Sequence, residues 1–130
     1  MVLTGYAKLP QMVDTYSITY KGQAPSLNDI YGSSNWRVRK GLVDKYKKIF
    51  TILLLERNPP KYEKYKVSIF YNSRHDCDNV VGAVGKILND TLKTKWVPED
   101  GPKFCKGISA EVDTSLEHNE FKIVITNANI

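Results

Sequence analysis

Cysteine is scarce in this chain. Two residues in 130, Cys77 and Cys105, are too few for a disulfide framework, so free thiols in a reducing setting are expected. Long hydrophobic runs are also missing. The longest uncharged apolar stretch, Ile49 to Leu55, is far shorter than the roughly 18 residues a membrane span needs, and no membrane association is expected. The N-terminus lacks a basic start followed by an apolar stretch, so no secretory leader is expected. Internal repeats, low-complexity tracts and linkers are absent as well. That leaves one domain over residues 1–130, long enough to bury a real core.

What is present is ordinary in amount and uneven in placement. Hydrophobic residues make up 42% of the chain and charged residues 25%, the balance of a globular protein. The net charge of +5 favours a polyanionic partner such as nucleic acid. Within that basic chain the carboxylates Asp76 and Asp78 stand close together, the layout of a site that holds metal with acids and a phosphate backbone with bases.

Residues 1–12 have no clear period and read as a loose arm. Asp14 to Tyr20 is rich in β-branched and aromatic residues and predicts a first strand. Lys21 to Ser34 is a long turn-rich stretch, of the kind often functional in compact domains. Ser34 or Asn35 then caps a helix that runs to about Arg57 and stops at Pro59-Pro60. Leu42, Val43, Tyr46, Ile49, Phe50, Leu53 and Leu54 form its apolar face. Lys64 to Tyr71 alternates as a second strand, with Tyr65, Val67, Ile69 and Tyr71 on one side. A second helix is expected from Asn79 to about Lys93, its buried side carrying Val80, Val84, Ile87, Leu88 and Thr91. Gly82, Lys86, Asn89 and Lys93 mark its open side. Two strands follow, near Ile108 to Asp113 and Phe121 to Thr126. The order βαβαββ predicts a two-layer α+β domain, a mixed sheet of about four strands with both helices on one face.

The junction at Ser73-Arg74-His75-Asp76-Cys77-Asp78-Asn79 carries the chemistry. If the backbone is extended there, Asp76 and Asp78 face the same way, because side chains alternate with period two. Such a pair is half a site for a hard cation such as Mg²⁺, which takes one or two carboxylates together with substrate phosphates. Asp and Asn at a helix start also serve as caps, and both uses fit these residues.

Three segments in order resemble the signature of RusA-type Holliday junction resolvases: Asp76-Cys77-Asp78-Asn79, Lys86-Ile87-Leu88-Asn89-Asp90-Thr91-Leu92, and Trp96-Val97-Pro98-Glu99-Asp100. Ala24-Pro25-Ser26-Leu27-Asn28 is similar to the family's Pro-rich segment after its first strand. The resemblance covers roughly Tyr16 to Asp113. It implies a small homodimeric endonuclease that nicks four-way DNA junctions with one or two Mg²⁺ ions, Mn²⁺ being an acceptable substitute. It also implies a cytoplasmic protein of a bacterial host, encoded by a phage or prophage. By that likeness Asp76, Asp78 and Asp100 match the metal-binding acids and Lys86 the catalytic lysine. Asn79, Asp90 and Glu99 match supporting positions. One departure stands out: the family's lysine comes four residues after the second acid, where this chain has Gly82. Lys86 is one turn further on, within about 40° of the same direction and about 6 Å along the axis.

Phosphodiester hydrolysis needs an activated water, offset charge on the non-bridging oxygens and a stabilised leaving oxygen, which metal ions held by these acids supply. Paired symmetric nicks call for two copies, hence an isologous dimer. Arg37, Arg39, Lys40, Arg74, Lys93, Lys95, Lys103 and Lys106 are the candidate DNA-binding bases, acting mainly through phosphates. Competing readings are a zinc site from His75, Cys77 and Cys105, a non-catalytic nucleic-acid-binding module, and a nuclease of flaps or forks.

Overall fold

Period-two alternation sets the strands of the sheet. The computed structural model describes residues 14–32 and 35–128, so the expected arm over 1–12 and the alternative cap Ser34 lie outside the described residues. Four strands, β1 (Thr15–Lys21), β2 (Tyr65–Tyr71), β3 (Cys105–Val112) and β4 (Glu120–Asn127), form one sheet in the order β1-β4-β2-β3. Strand β4 is antiparallel to both of its neighbours, whereas β2 and β3 are parallel. The helices are α1 (Leu27–Tyr31), α2 (Trp36–Arg57) and α3 (Cys77–Leu92). Parallel strands cannot be joined by a hairpin, and α3 provides the crossover between β2 and β3. The architecture is the expected α+β domain of a four-stranded mixed sheet and two main helices.

Registration aligns the apolar rows across strands. Tyr16, Ile125 and Val67 form one row, and Ile18, Ile123 and Ile69 the next. These six are buried in one cluster with Phe50 and Leu54 of α2 and Val84 and Leu88 of α3, so both long helices cover the same sheet face. Truncating a core side chain such as Phe50 to Ala costs about 3–5 kcal/mol through lost transfer energy and the cavity left behind. No helix among the described residues is long and apolar enough to cross a membrane.

Several local expectations are corrected. Helix α3 begins at Cys77, with Asp76 as its N-cap in an extended conformation, not at Asn79. Strand β3 begins at Cys105, three residues before the expected Ile108. The turn-rich stretch holds a helix: Ser26, fully buried, caps α1 by accepting from the Asp29 backbone N–H. Five residues are too short to be helical alone, so α1 depends on packing. Its Leu27 lies over Gly82, where an added Cβ would stand 2.6 Å from Leu27 Cδ1. A Cβ on Gly85 would meet Ile108 of β3 at 3.0 Å. Both glycines thus let neighbouring elements sit down on α3. Asn89 is buried instead of open, because its side-chain oxygen accepts from the Tyr65 hydroxyl at 2.7 Å. Gly82 is half-buried for the reason just given.

Candidate active site

The acids singled out by sequence fall at the two ends of α3, with Lys86 between them. At its N-terminus β2 delivers Tyr71, fully buried, whose hydroxyl donates to the His75 carbonyl at 2.7 Å and lies 3.2 Å from Cys77 Sγ. Burial, the Cys77 contact and the nearby charges of Asp76 and Asp78 raise the phenol well above its ordinary range, so it remains a neutral donor. Asp76 and Asp78 are exposed, and the Asp76 side chain makes no capping hydrogen bond. Asp78 accepts from the Asn79 backbone N–H at 3.0 Å. The pair is not the end of a strand, as the period-two argument required. It is an N-cap and a first-turn residue, gathered at the positive end of the helix dipole.

Gln23 and Asp29, which sequence reasoning missed, complete this end through His75. His75 Nε2 lies 2.7 Å from the Gln23 side-chain nitrogen and 3.2 Å from the Asp29 carboxylate, which ties α1 to the start of α3. Asp29 was illegible because α1 has the composition of a turn.

The C-terminal end of α3 gathers the remaining acids around one ammonium. Lys93 Nζ stands 3.5 Å from Asp100, 3.7 Å from Glu99 and 3.8 Å from Asp90. Burial counts against the charge on Lys93, but Asp100, Glu99 and Asp90 outweigh it and raise its pKa. The Asp100 carboxyl is held below its ordinary value, first by Glu99 and then by Lys93. Lys86 is 71% exposed and pairs with Asp90 at 3.5 Å. It stands about 12 Å along the axis from Asp78. The loop carrying Glu99 and Asp100 is anchored by buried Trp96 and Val97, whose N–H groups donate to the Leu92 carbonyl.

Asp78 and Lys93 are 15 residues apart on one helix, about 22 Å at 1.5 Å per residue. Asp76, Asp78 and Asp100 therefore do not meet within one chain, and a three-acid cage does not fit there. Among the described residues no three His, Cys, Asp or Glu side chains lie close enough to hold a metal ion. The zinc alternative meets the same obstacle, since Cys77 starts α3 and Cys105 starts β3, at opposite ends. Cys77 is moreover exposed, and Cys105 half-buried.

The candidate bases divide in the same way. Arg37, Arg39 and Lys40 start α2, which runs from the α1 end toward Thr15 and Tyr16 at the start of β1, so they share an end with Arg74, Asp76 and Asp78. Lys40 is engaged with Asp44 at 2.7 Å. Lys95, Lys103 and Lys106 accompany Lys93 at the other end; Lys95 lies over the Trp96 ring and Lys106 donates to the Pro102 carbonyl at 3.1 Å.

Compared with known proteins, the chain matches no protein-family model and no curated sequence.

Proposed function

We propose that this protein is a Mg²⁺-dependent endonuclease of branched DNA, resolving four-way junctions by paired nicks as a homodimer. The observation that carries the reading is the placement of Asp76 and Asp78 as two exposed carboxylates beside Arg74 at the start of α3. Their likeness in order and type to the RusA-type motif supports it. Mn²⁺ would serve in place of Mg²⁺, since both accept oxygen ligands.

The length of α3 bears on how such a site would be completed. Two copies related by a two-fold axis across α3 set each N-terminus beside the partner's C-terminus. Asp76 and Asp78 of one protomer would then share a site with Asp100 of the other. A metal ion held there by Asp76, Asp78 and the partner's Asp100 would supply a more acidic water and offset phosphate charge. Arg74 stands two residues before Asp76 in sequence and supplies a guanidinium to the incoming phosphate. Lys86, displaced along the helix from the Gly82 position, holds DNA backbone in this arrangement.

The test mixes two inactive variants. Asp76→Asn and Asp100→Asn should each abolish junction cleavage in Mg²⁺ while retaining binding. In a shared site the mixed dimer has one site with both acids lost and one fully intact. Mixing should therefore restore single nicks, at about a quarter of wild-type site number for random pairing. If each chain carried its own complete site, no mixture would cut. Wild-type protein that binds junctions tightly but cuts in no divalent metal would sink the enzyme reading altogether.

A further inference from the structure

Trp36 is the most exposed large apolar side chain among the described residues, 59% accessible at the first position of α2. The Arg37 guanidinium carbon lies 5.7 Å from its ring centroid. An aromatic ring has two faces; Arg37 lies over the ring, and more than half of the residue's surface is exposed. The ring stands among bases, with Arg39 and Lys40 on the same turn. It also lies at the Asp76 end of the molecule: α1, which ends five residues before Trp36, reaches His75 through Asp29, and His75 adjoins Asp76. The chain's other tryptophan, Trp96, is buried and 4% exposed, so the two indoles have different roles.

We infer that Trp36, backed by Arg37, is a stacking platform for a nucleobase at the branch point of the DNA. The inference rests on the nuclease reading and adds to it the residue that distinguishes branched from linear substrate. In continuous duplex every base is covered on both faces by its neighbours, so a protruding ring finds nothing to stack on. At a crossover the stack is interrupted and a base face is available. Stacking on an aromatic side chain is tolerant of sequence and is reinforced by a guanidinium on the opposite face. Phosphate contacts from Arg39 and Lys40 position the backbone on either substrate without telling them apart.

The experiment measures binding to a synthetic immobile four-way junction, a linear duplex of the same arms and inorganic polyphosphate, with Ca²⁺ in place of Mg²⁺. Wild type, Trp36→Ala and Trp36→Phe are compared, with tryptophan emission followed throughout. Junction DNA should quench and shift emission in wild type but not in Trp36→Phe, where only buried Trp96 remains. Polyphosphate should leave emission unchanged in both. Trp36→Ala should bind the junction roughly tenfold more weakly. Its affinity for linear duplex and polyphosphate should stay within about twofold, since those depend on charge. Trp36→Phe should recover most of the junction affinity. Junction binding unchanged in Trp36→Ala, with quenching surviving in Trp36→Phe, would overturn this assignment and leave the nuclease reading intact. Wild-type protein that binds no DNA would overturn both.

Discussion

Gly82 shows how one position can separate two uses of a helix. A lysine there would point from α3 toward the Asp78 end, but Leu27 of α1 already fills that space. Gly82→Lys should lower the melting temperature by roughly 4–10 °C, the overpacking cost of about 1–3 kcal/mol spread over a chain of this size. Gly82→Ala should be close to neutral, because Leu27 Cδ1 is the far end of a flexible side chain and alanine gains about 1 kcal/mol of helix propensity. Differential scanning calorimetry of both variants separates these outcomes. Equal destabilisation by both would show that Leu27 cannot give way. Gly82 stood out in the sequence but its contact with Leu27 did not, since that contact bridges more than 50 residues of chain.

Among the elements, the C-terminal end of α3 and its following loop are held by charge. Asp100 has a depressed pKa, so its contribution to stability is present above its unfolded value near 3.8 and is lost as pH falls through the lower folded value. Lys93 has a raised pKa, so its contribution is present below 10.5 and is lost as pH rises through the higher folded value. Between those limits the pair stabilises the loop. Lys93→Gln should therefore be less stable than wild type at pH 7, and the difference should shrink as the pH is lowered past the folded Asp100 value. Urea unfolding at pH 7 and at a series of pH values descending from 3.8 tests this; a difference independent of pH would assign the effect to packing. At the other end of α3 the Asp76 side chain makes no capping hydrogen bond.

For the whole molecule, the sheet order and the single crossover helix decide how the acids are distributed. A chain whose two acidic groups lie some 20 Å apart along one helix can join them only by pairing. Sedimentation of the free protein should give the mass of two chains. Affinity for junction DNA should fall at least a hundredfold between 50 and 200 mM salt if several phosphates are contacted, as filter binding at stepped salt would show. A shallow salt dependence would mean that the basic groups at the two ends do not engage backbone.

Much of this was readable from local pattern. The alternation of Tyr65, Val67, Ile69 and Tyr71 specified β2 and its buried face, and the spacing of Tyr46, Phe50 and Leu54 specified the buried side of α2. Pro59-Pro60 marked the end of that helix, and Asp76-Cys77-Asp78-Asn79 marked the start of the next. These are short-range signals, set by the periods of helix and strand and by the orphan donors at a helix N-terminus. Three features needed the folded chain. Strand β4 is last in sequence but pairs between β1 and β2. Helix α1 exists because Ile30 is buried and Leu27 half-buried against other elements, not because its five residues favour helix. Asp100 is carried to the far end of α3, away from the acids its motif adjoins. Each follows from contacts between residues far apart in the chain, whose energies local periodicity does not contain.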